Sequence, residues 1–217
     1  MVSLQDLISA DFYRNAIFLW MNSGSSYRPP DEIWITEIAG CLRRAYLERV
    51  EPVKYEHKQC VVMFLGQAIH EKLARVLTNL YGEIFEVEVE ARTVVDIDGE
   101  LIRIVGRADI VCRRLNVVIE VKTCGEIPSR PYTIHVRQLQ YYLNLLGINN
   151  GVLLYFSRDG DLRAFAIKRD RGYEEEMIQR ARALYYCLKR GRPPRPEKIP
   201  FLCNTCPYRI MGKCKPA

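Results

Sequence analysis

Residues 106–122 read GRADIVCRRLNVVIEVK, and they bring three reactive residue types together. Arg113 to Asn116 is the natural turn of this stretch. Strands paired antiparallel about it set Asp109 opposite Glu120, Ile110 opposite Ile119 and Val111 opposite Val118. Opposed Cβ atoms stand about 4.5–5.5 Å apart, so two carboxylates there repel unless a cation lies between them. The two-residue period of a strand sets Lys122 on the face of Glu120 and turns Ile119 and Val121 toward the core. Asp, Glu and Lys then converge on one edge of a sheet. Hard oxygen ligands of this kind suit Mg²⁺ or Mn²⁺. Such an ion binds a phosphate oxygen and acidifies a bound water, with an ammonium close by. A surface ion pair would give the same spacing. The apolar run VVIEVK, which Glu120 and Lys122 interrupt, favours a site.

Three further side chains could join them. Gly66-Gln67-Ala68-Ile69-His70 sets a histidine on the preceding helix. Gln138 and Tyr142, in RQLQYYLNLLG, are i and i+4 and share the face of a later helix. Taken singly, His70 reads first as a structural histidine and the Gln–Tyr pair as the polar edge of an amphipathic helix, so they count only as part of a set.

The eight cysteines carry a second chemistry. The tail FLCNTCPYRIMGKCKP spaces Cys203, Cys206 and Cys214 as C-x2-C-x7-C, three thiols in a loop able to converge on a soft metal. The set is one ligand short. Spacing does not choose among Cys41, Cys60, Cys112, Cys124 and Cys187. Cys112, Cys124 and Cys187 read well as buried thiols. Cys60 remains a rival, and Cys41 sits in the helical stretch CLRRAY, where Arg43 and Arg44 would favour a thiolate.

The elements that must position these groups follow from periodicity. Helical spacing marks residues 4–20, 36–50, 61–80, 133–146 and 173–189, with Leu4, Leu7 and Ile8 on the first face, Pro52 stopping the second, and Gly82 and Gly147 ending the third and fourth. Residues 22–30 are a loop. Alternation marks strands at 83–95, 101–112, 117–123, 151–156 and 164–168, with Asp98-Gly99 and Asp159-Gly160 as turns. The order predicts an α/β fold: a mixed sheet flanked by helices, without internal repeats.

The 217 residues are 48% hydrophobic, which excludes a disordered chain. No apolar run approaches a membrane span, and residues 1–7 lack the pattern of a signal peptide. A soluble cytoplasmic protein without membrane partners is the expectation, and there thiols serve metals more often than disulfides. Lys plus Arg is 32 against 26 for Asp plus Glu, a net charge of +6 that permits a polyanion partner. Lys189, Arg190, Arg192, Arg195, Lys198, Arg209 and Lys213 face only Glu197 in the tail, a candidate phosphate-binding rim. Tyr208, Tyr132, Tyr155 and Trp34 are candidates for stacking on unpaired bases.

The motifs G-x3-H (Gly66–His70), G-x2-D (Gly106–Asp109), E-x-K (Glu120–Lys122) and Q-x3-Y (Gln138–Tyr142) stand in the order found in RecB-like nucleases. The chain thereby resembles the PD-(D/E)xK superfamily, with its restriction-endonuclease-like fold. The resemblance implies that His70, Asp109, Glu120 and the backbone carbonyl of Val121 bind the divalent metal. It also implies that Lys122 positions or activates the water and that Gln138 and Tyr142 support substrate binding. One cysteine before the histidine motif and three after the core resemble the iron–sulfur branch, most nearly the CRISPR-associated RecB-like exonucleases. That likeness implies a cluster on Cys41, Cys203, Cys206 and Cys214, usually [4Fe–4S] with [2Fe–2S] open. The cluster would join the N-terminal helical region to the C-terminal tail.

Residues 1–217 then form one RecB-like nuclease domain: a helical region at about 1–58, a core at about 59–190 and a basic cluster-binding tail at about 191–217. The implied function is a metal-dependent exonuclease acting mainly on single-stranded DNA and DNA ends, 5′ to 3′, in CRISPR adaptation beside the spacer integration complex. A DNA-end- or motif-binding subunit with little turnover and a zinc-stapled DNA-binding module are the alternatives.

Overall fold

Alternating residues in ELIRIVGRADIVC bury Ile102, Ile104, Ala108 and Ile110 and leave Leu101, Arg103 and Arg107 exposed, which builds the longest strand of the sheet. A computed structural model describes residue 5, residues 9–23 and residues 27–215. Leu4, Leu7 and Ile8 of the expected first helix and residues 24–26 of the expected loop lie outside the described residues.

The described chain runs α1 (Ala10–Asn22), β1 (Glu32–Trp34), α2 (Ile35–Ala39), α3 (Leu42–Val50), α4 (His57–Tyr81) and a 3-10 turn (Gly82–Ile84). It continues through β2 (Glu86–Ile97), β3 (Glu100–Cys112), β4 (Val117–Cys124), α5 (Thr133–Leu146), β5 (Asn150–Ser157) and β6 (Leu162–Lys168). The last elements are α6 (Gly172–Arg190), α7 (Pro200–Thr205) and α8 (Pro207–Ile210). The six strands form one mixed sheet in the order β1-β3-β4-β5-β6, with β2 also paired to β3. The expected α/β class, a mixed sheet flanked by helices, is what the chain adopts.

Three features depart from the sequence reading. First, the helical stretch at 36–50 is two helices, because Gly40 and Cys41 take extended backbone angles. Cys41 therefore caps α3 from outside the helix. Second, β1 is a strand of three residues, too short for any periodicity. It lies parallel to β3 over Arg103 to Val105. Third, α4 is the expected helix, but it buries only Cys60 and leaves Phe64, Val76 and Leu80 largely exposed.

The turns fall where the sequence places them. Asp98 and Gly99 take positive φ between β2 and β3, Asn116 closes the β3–β4 turn, and Gly147 ends α5 in the left-handed region. The core gathers Ile33, Ile35 and Ile38 with Tyr141, Leu143 and Leu184 around the sheet. Gly151 lets α5 pack closely, since a Cβ there would stand 2.7 Å from Leu139 Cδ2. Among the described residues, no helix is long and apolar enough to cross a membrane.

Candidate active site

Strand β3 changes partner along one side. Its Arg103 to Val105 pair with β1, and its Ile110 to Cys112 pair with β4. Between these ladders, Gly106 to Asp109 face a fork rather than a neighbouring strand. The expected register holds for Ile110–Ile119 and Val111–Val118, but the pairing stops one step short of Asp109 and Glu120. Instead, the Val121 backbone N–H donates to Asp109 Oδ2 at 2.7 Å. A side chain thus takes the place of a ladder bond. The expected convergence on a sheet edge is corrected here: β4 is an interior strand between β3 and β5, and the acids meet at the fork.

Glu120 is 1% exposed. Its Oε1 accepts from Lys122 Nζ and from Gln138 Nε2, both at 2.7 Å, and Gln138 Oε1 accepts from Lys122 Nζ at 3.0 Å. Its Oε2 is buried without a hydrogen-bond partner. Burial first, and then the Asp109 carboxylate, push the Glu120 carboxyl up to about 7 against the pull of Lys122. An oxygen so placed is a vacant acceptor in a dry site. Val121 is buried as expected, whereas Ile119 is only half-buried.

His70 arrives from α4, with Nδ1 3.4 Å from Asp109 Oδ1. Gly66 permits the approach, because a Cβ there would stand 3.1 Å from Thr123 Oγ1 on β4. Gly106 does the same for α5, since its Cβ would meet Ile35 Cδ1 and Tyr142 Cε1 at 2.9 Å. Tyr142 is 1% exposed. Burial first, and then the Glu120 carboxylate, hold its hydroxyl above the ordinary phenol range. Tyr142 packs against Gly106 from α5, four residues after Gln138 on the same helix.

Beyond His70 and Asp109 lies a cavity of about 510 Å³, lined also by Gln67, Glu71, Arg75 and Glu88. Sequence reading did not single out Glu88. Its signal is faint: the middle glutamate of the Glu86, Glu88, Glu90 alternation, with φ of 50° in mid-strand. A cavity of about 580 Å³ among the N-terminal helices contains none of these residues, and its Arg49 is held by Glu37 at 2.6 Å.

The cysteines divide cleanly. Cys41, Cys203, Cys206 and Cys214 line one small cavity with Arg44, Leu47 and Glu197, whereas Cys60, Cys112, Cys124 and Cys187 do not reach it. Cys60, the rival, is buried against Asn22, whose Nδ2 lies 3.3 Å from its sulfur. All eight are free thiols. The expected thiolate-favouring cations at Cys41 do not prevail: burial pushes that thiol up, and Arg44 spends its guanidinium on Glu48 at 2.7 Å. Burial also raises Cys214, and the other three thiols add to it.

Protein contacts dock the tail on the N-terminal helices. Arg43 donates to the Pro194 carbonyl, and the Leu42 N–H donates to Glu197. Arg180 donates to the Ile38 and Gly40 carbonyls. The expected basic rim is thinner than its sequence: Lys189 pairs with Glu100 and Lys213 with Glu51, Arg190 lies over the Tyr186 ring and Arg209 donates to Asn204, which leaves Arg192, Arg195 and Lys198 unengaged by those contacts. Tyr208 and Tyr155 are fully buried and cannot stack on bases. Tyr132 stacks on Phe201, and Trp34 lies under Arg28.

Among the described residues, no three His, Cys, Asp or Glu side chains form a ready-made single-ion site. The fit to metals rests on donor chemistry. An orphaned buried carboxylate oxygen beside Asp109 and His70 fits a hard dication, and four thiols around one cavity fit a soft one or a cluster.

Residues 55–169 match the family model of the PD-(D/E)XK nuclease superfamily, and His70, Asp109, Glu120, Lys122, Gln138 and Tyr142 all fall inside that span. The chain belongs to that superfamily. It is 30% identical over 139 residues to the CRISPR-associated exonuclease Cas4 of Saccharolobus solfataricus, a match covering 62% of this chain and 68% of that relative. Within the superfamily it is a Cas4-like, RecB-type nuclease. The likeness in fold extends further than the family match. The crystal structure of SSO0001 superposes with a TM-score of 0.71 at 24% identity, covering 94% of this chain and 95% of that one.

Proposed function

We propose that this nuclease is a divalent-metal-dependent exonuclease acting mainly on single-stranded DNA and DNA ends, 5′ to 3′, in the trimming of DNA during CRISPR adaptation. The observation that carries the chemistry is Glu120 Oε2, buried, unpartnered and beside the Asp109 carboxylate. The CRISPR-associated exonuclease relative supports the biological setting.

His70, Asp109, Glu120 and the Val121 carbonyl would hold Mg²⁺ or Mn²⁺. When bound, the ion supplies charge neutralisation at the scissile phosphate and a more acidic water. Gln138 ties Glu120 and Lys122 together by hydrogen bonds, so that the Lys122 ammonium stands ready at the phosphate or its attacking water. Asp109, held by the Val121 N–H, keeps its other oxygen toward His70. Arg192, Arg195 and Lys198 are the tail cations free to meet the backbone phosphates of a strand.

The thiols of Cys41, Cys203, Cys206 and Cys214 would hold an iron–sulfur cluster, [4Fe–4S] in preference to [2Fe–2S]. Its role is structural, fastening a tail that protein contacts already dock.

The test is digestion of end-labelled single strands, each blocked at one terminus, with Mn²⁺. Asp109→Ala and Glu120→Ala should each reduce the rate by at least about a thousandfold while DNA binding persists. Undiminished digestion by both variants, or a wild type that binds ends without cutting them, overturns the reading.

A further inference from the structure

We infer that Glu88 is a further acid of the metal centre, drawing the hydrated divalent cation in through the cavity beside His70 and holding it there through its water shell. The inference rests on the metal site proposed above and adds a residue that the motif set does not contain.

Three glutamates alternate along the outer stretch of β2. Glu86 pairs with Arg113 at 2.7 Å and Glu90 with Arg92 at 3.6 Å. Glu88, between them, has no cationic partner among the described residues. It is also the one whose backbone departs from the strand, at φ of 50°, a region that side chains with a Cβ seldom enter. Val87 pairs with Ile110 and Val89 with Ala108, so the register brings Glu88 opposite Asp109 without a ladder bond. Both β2 and β4 therefore release β3 at the same residue, Asp109.

The cavity that Glu88 lines also receives His70 and Asp109. Its remaining charges are Glu71 and Arg75, which neutralise one another at 2.7 Å. Glu88 and Asp109 thus leave the cavity with a negative surplus, which repels a phosphate strand and attracts a cation. A group of acids alone would not establish a ligand. The independent sign is Glu120 Oε2, a buried carboxylate oxygen with no partner, whose charge the Asp109 carboxylate opposes. A dication satisfies that oxygen, and the cavity reaches His70 and Asp109, two of the groups whose charges act on Glu120. Because Glu88 stands across the strand gap rather than on it, its contact is through water, the habit of Mg²⁺-type ions, which keep several waters.

The test is a calorimetric Mn²⁺ titration of the full chain, purified anaerobically with its iron retained, at pH 8 without DNA. Glu88→Gln should weaken Mn²⁺ binding about ten- to a hundredfold, the range expected of an outer-shell partner. Glu88→Gly should weaken it equally, although glycine relieves the positive φ and its melting temperature should equal or exceed that of the wild type. Glu90→Gln, one outward-facing position further on, should leave the titration unchanged. Equal Mn²⁺ affinity in wild type and Glu88→Gln overturns the role of Glu88. If Asp109→Ala and Glu120→Ala also bind Mn²⁺ like the wild type, the metal site itself is overturned, so the two failures are distinct.

Discussion

Asp109 accepts a 2.7 Å hydrogen bond from the backbone of Val121, the residue between Glu120 and Lys122. The two acids therefore do not depend on β3 and β4 being zipped to the same point. The strands diverge a residue early, and a charged side chain spans the gap. This keeps Asp109 near a Glu120 that has given up solvent, an arrangement stable only when something positive offsets both charges.

That arrangement sets a pH dependence. An unfolded Glu120 releases its proton near 4.5, whereas the folded one holds it to about 7, raised by burial and by Asp109. This group's contribution to folding is thus complete below pH 4.5 and is lost as pH climbs through 7. In chelator, unfolding free energy should fall by on the order of 2–3 kcal/mol between pH 5 and pH 8. Glu120→Gln should flatten that slope, and Mn²⁺ should stabilise the wild type far more at pH 8 than at pH 6. Urea titrations at four pH values check it. Parallel slopes for wild type and Glu120→Gln would contradict the assignment.

Gly106 is a packing requirement rather than a turn. A methyl group there would stand 2.9 Å from both Ile35 and Tyr142, two buried side chains with nowhere to move. Gly106→Ala should destabilise the protein by about 1–3 kcal/mol, a loss of roughly 3–10 °C at this chain length. Gly66→Ala, which meets only the Thr123 hydroxyl at 3.1 Å, should melt closer to wild type. Scanning calorimetry orders the two, and an unperturbed Gly106→Ala would refute the close approach.

The division of the cysteines is testable by iron content. Single serine substitutions at Cys41, Cys203, Cys206 and Cys214 should each abolish bound iron and the brown colour of the purified protein. The same change at Cys60, Cys112, Cys124 or Cys187 should retain both, with a stability loss of about 1 kcal/mol at the buried Cys60 and Cys112. Iron retained in Cys41→Ser would remove that residue from the set. Stoichiometric zinc without iron in the wild type would make the tail a zinc staple.

Local signals made much of this molecule legible. The β3–β4 hairpin follows from alternation about a four-residue turn, α5 ends at the glycine that ends its pattern, and Lys122 shares a face with Glu120 because strands repeat every two residues. What could not be read is what distant segments decide. The three residues of β1 form a strand only because β3 offers them an unpaired side, 71 residues along the chain. The break at Gly40 depends on Arg180 and Glu197 meeting the exposed backbone there. Charge counting in the tail failed for a similar reason. Lys189 and Lys213 find their acids on β3 and just after α3, not beside them in sequence.

The docking of Arg43 on Pro194 and Lys213 has a consequence for biogenesis. Helix α3 leaves the ribosome early, yet its polar partners emerge about 150 residues later, a separation that slows assembly. A nascent chain that has exported β1 to β6 already possesses its acids but lacks the seal over its N-terminal helices. The seal therefore forms after the acids are in place, and a ribosome-bound fragment short of residue 213 should remain open to protease at the Gly40–Cys41 break.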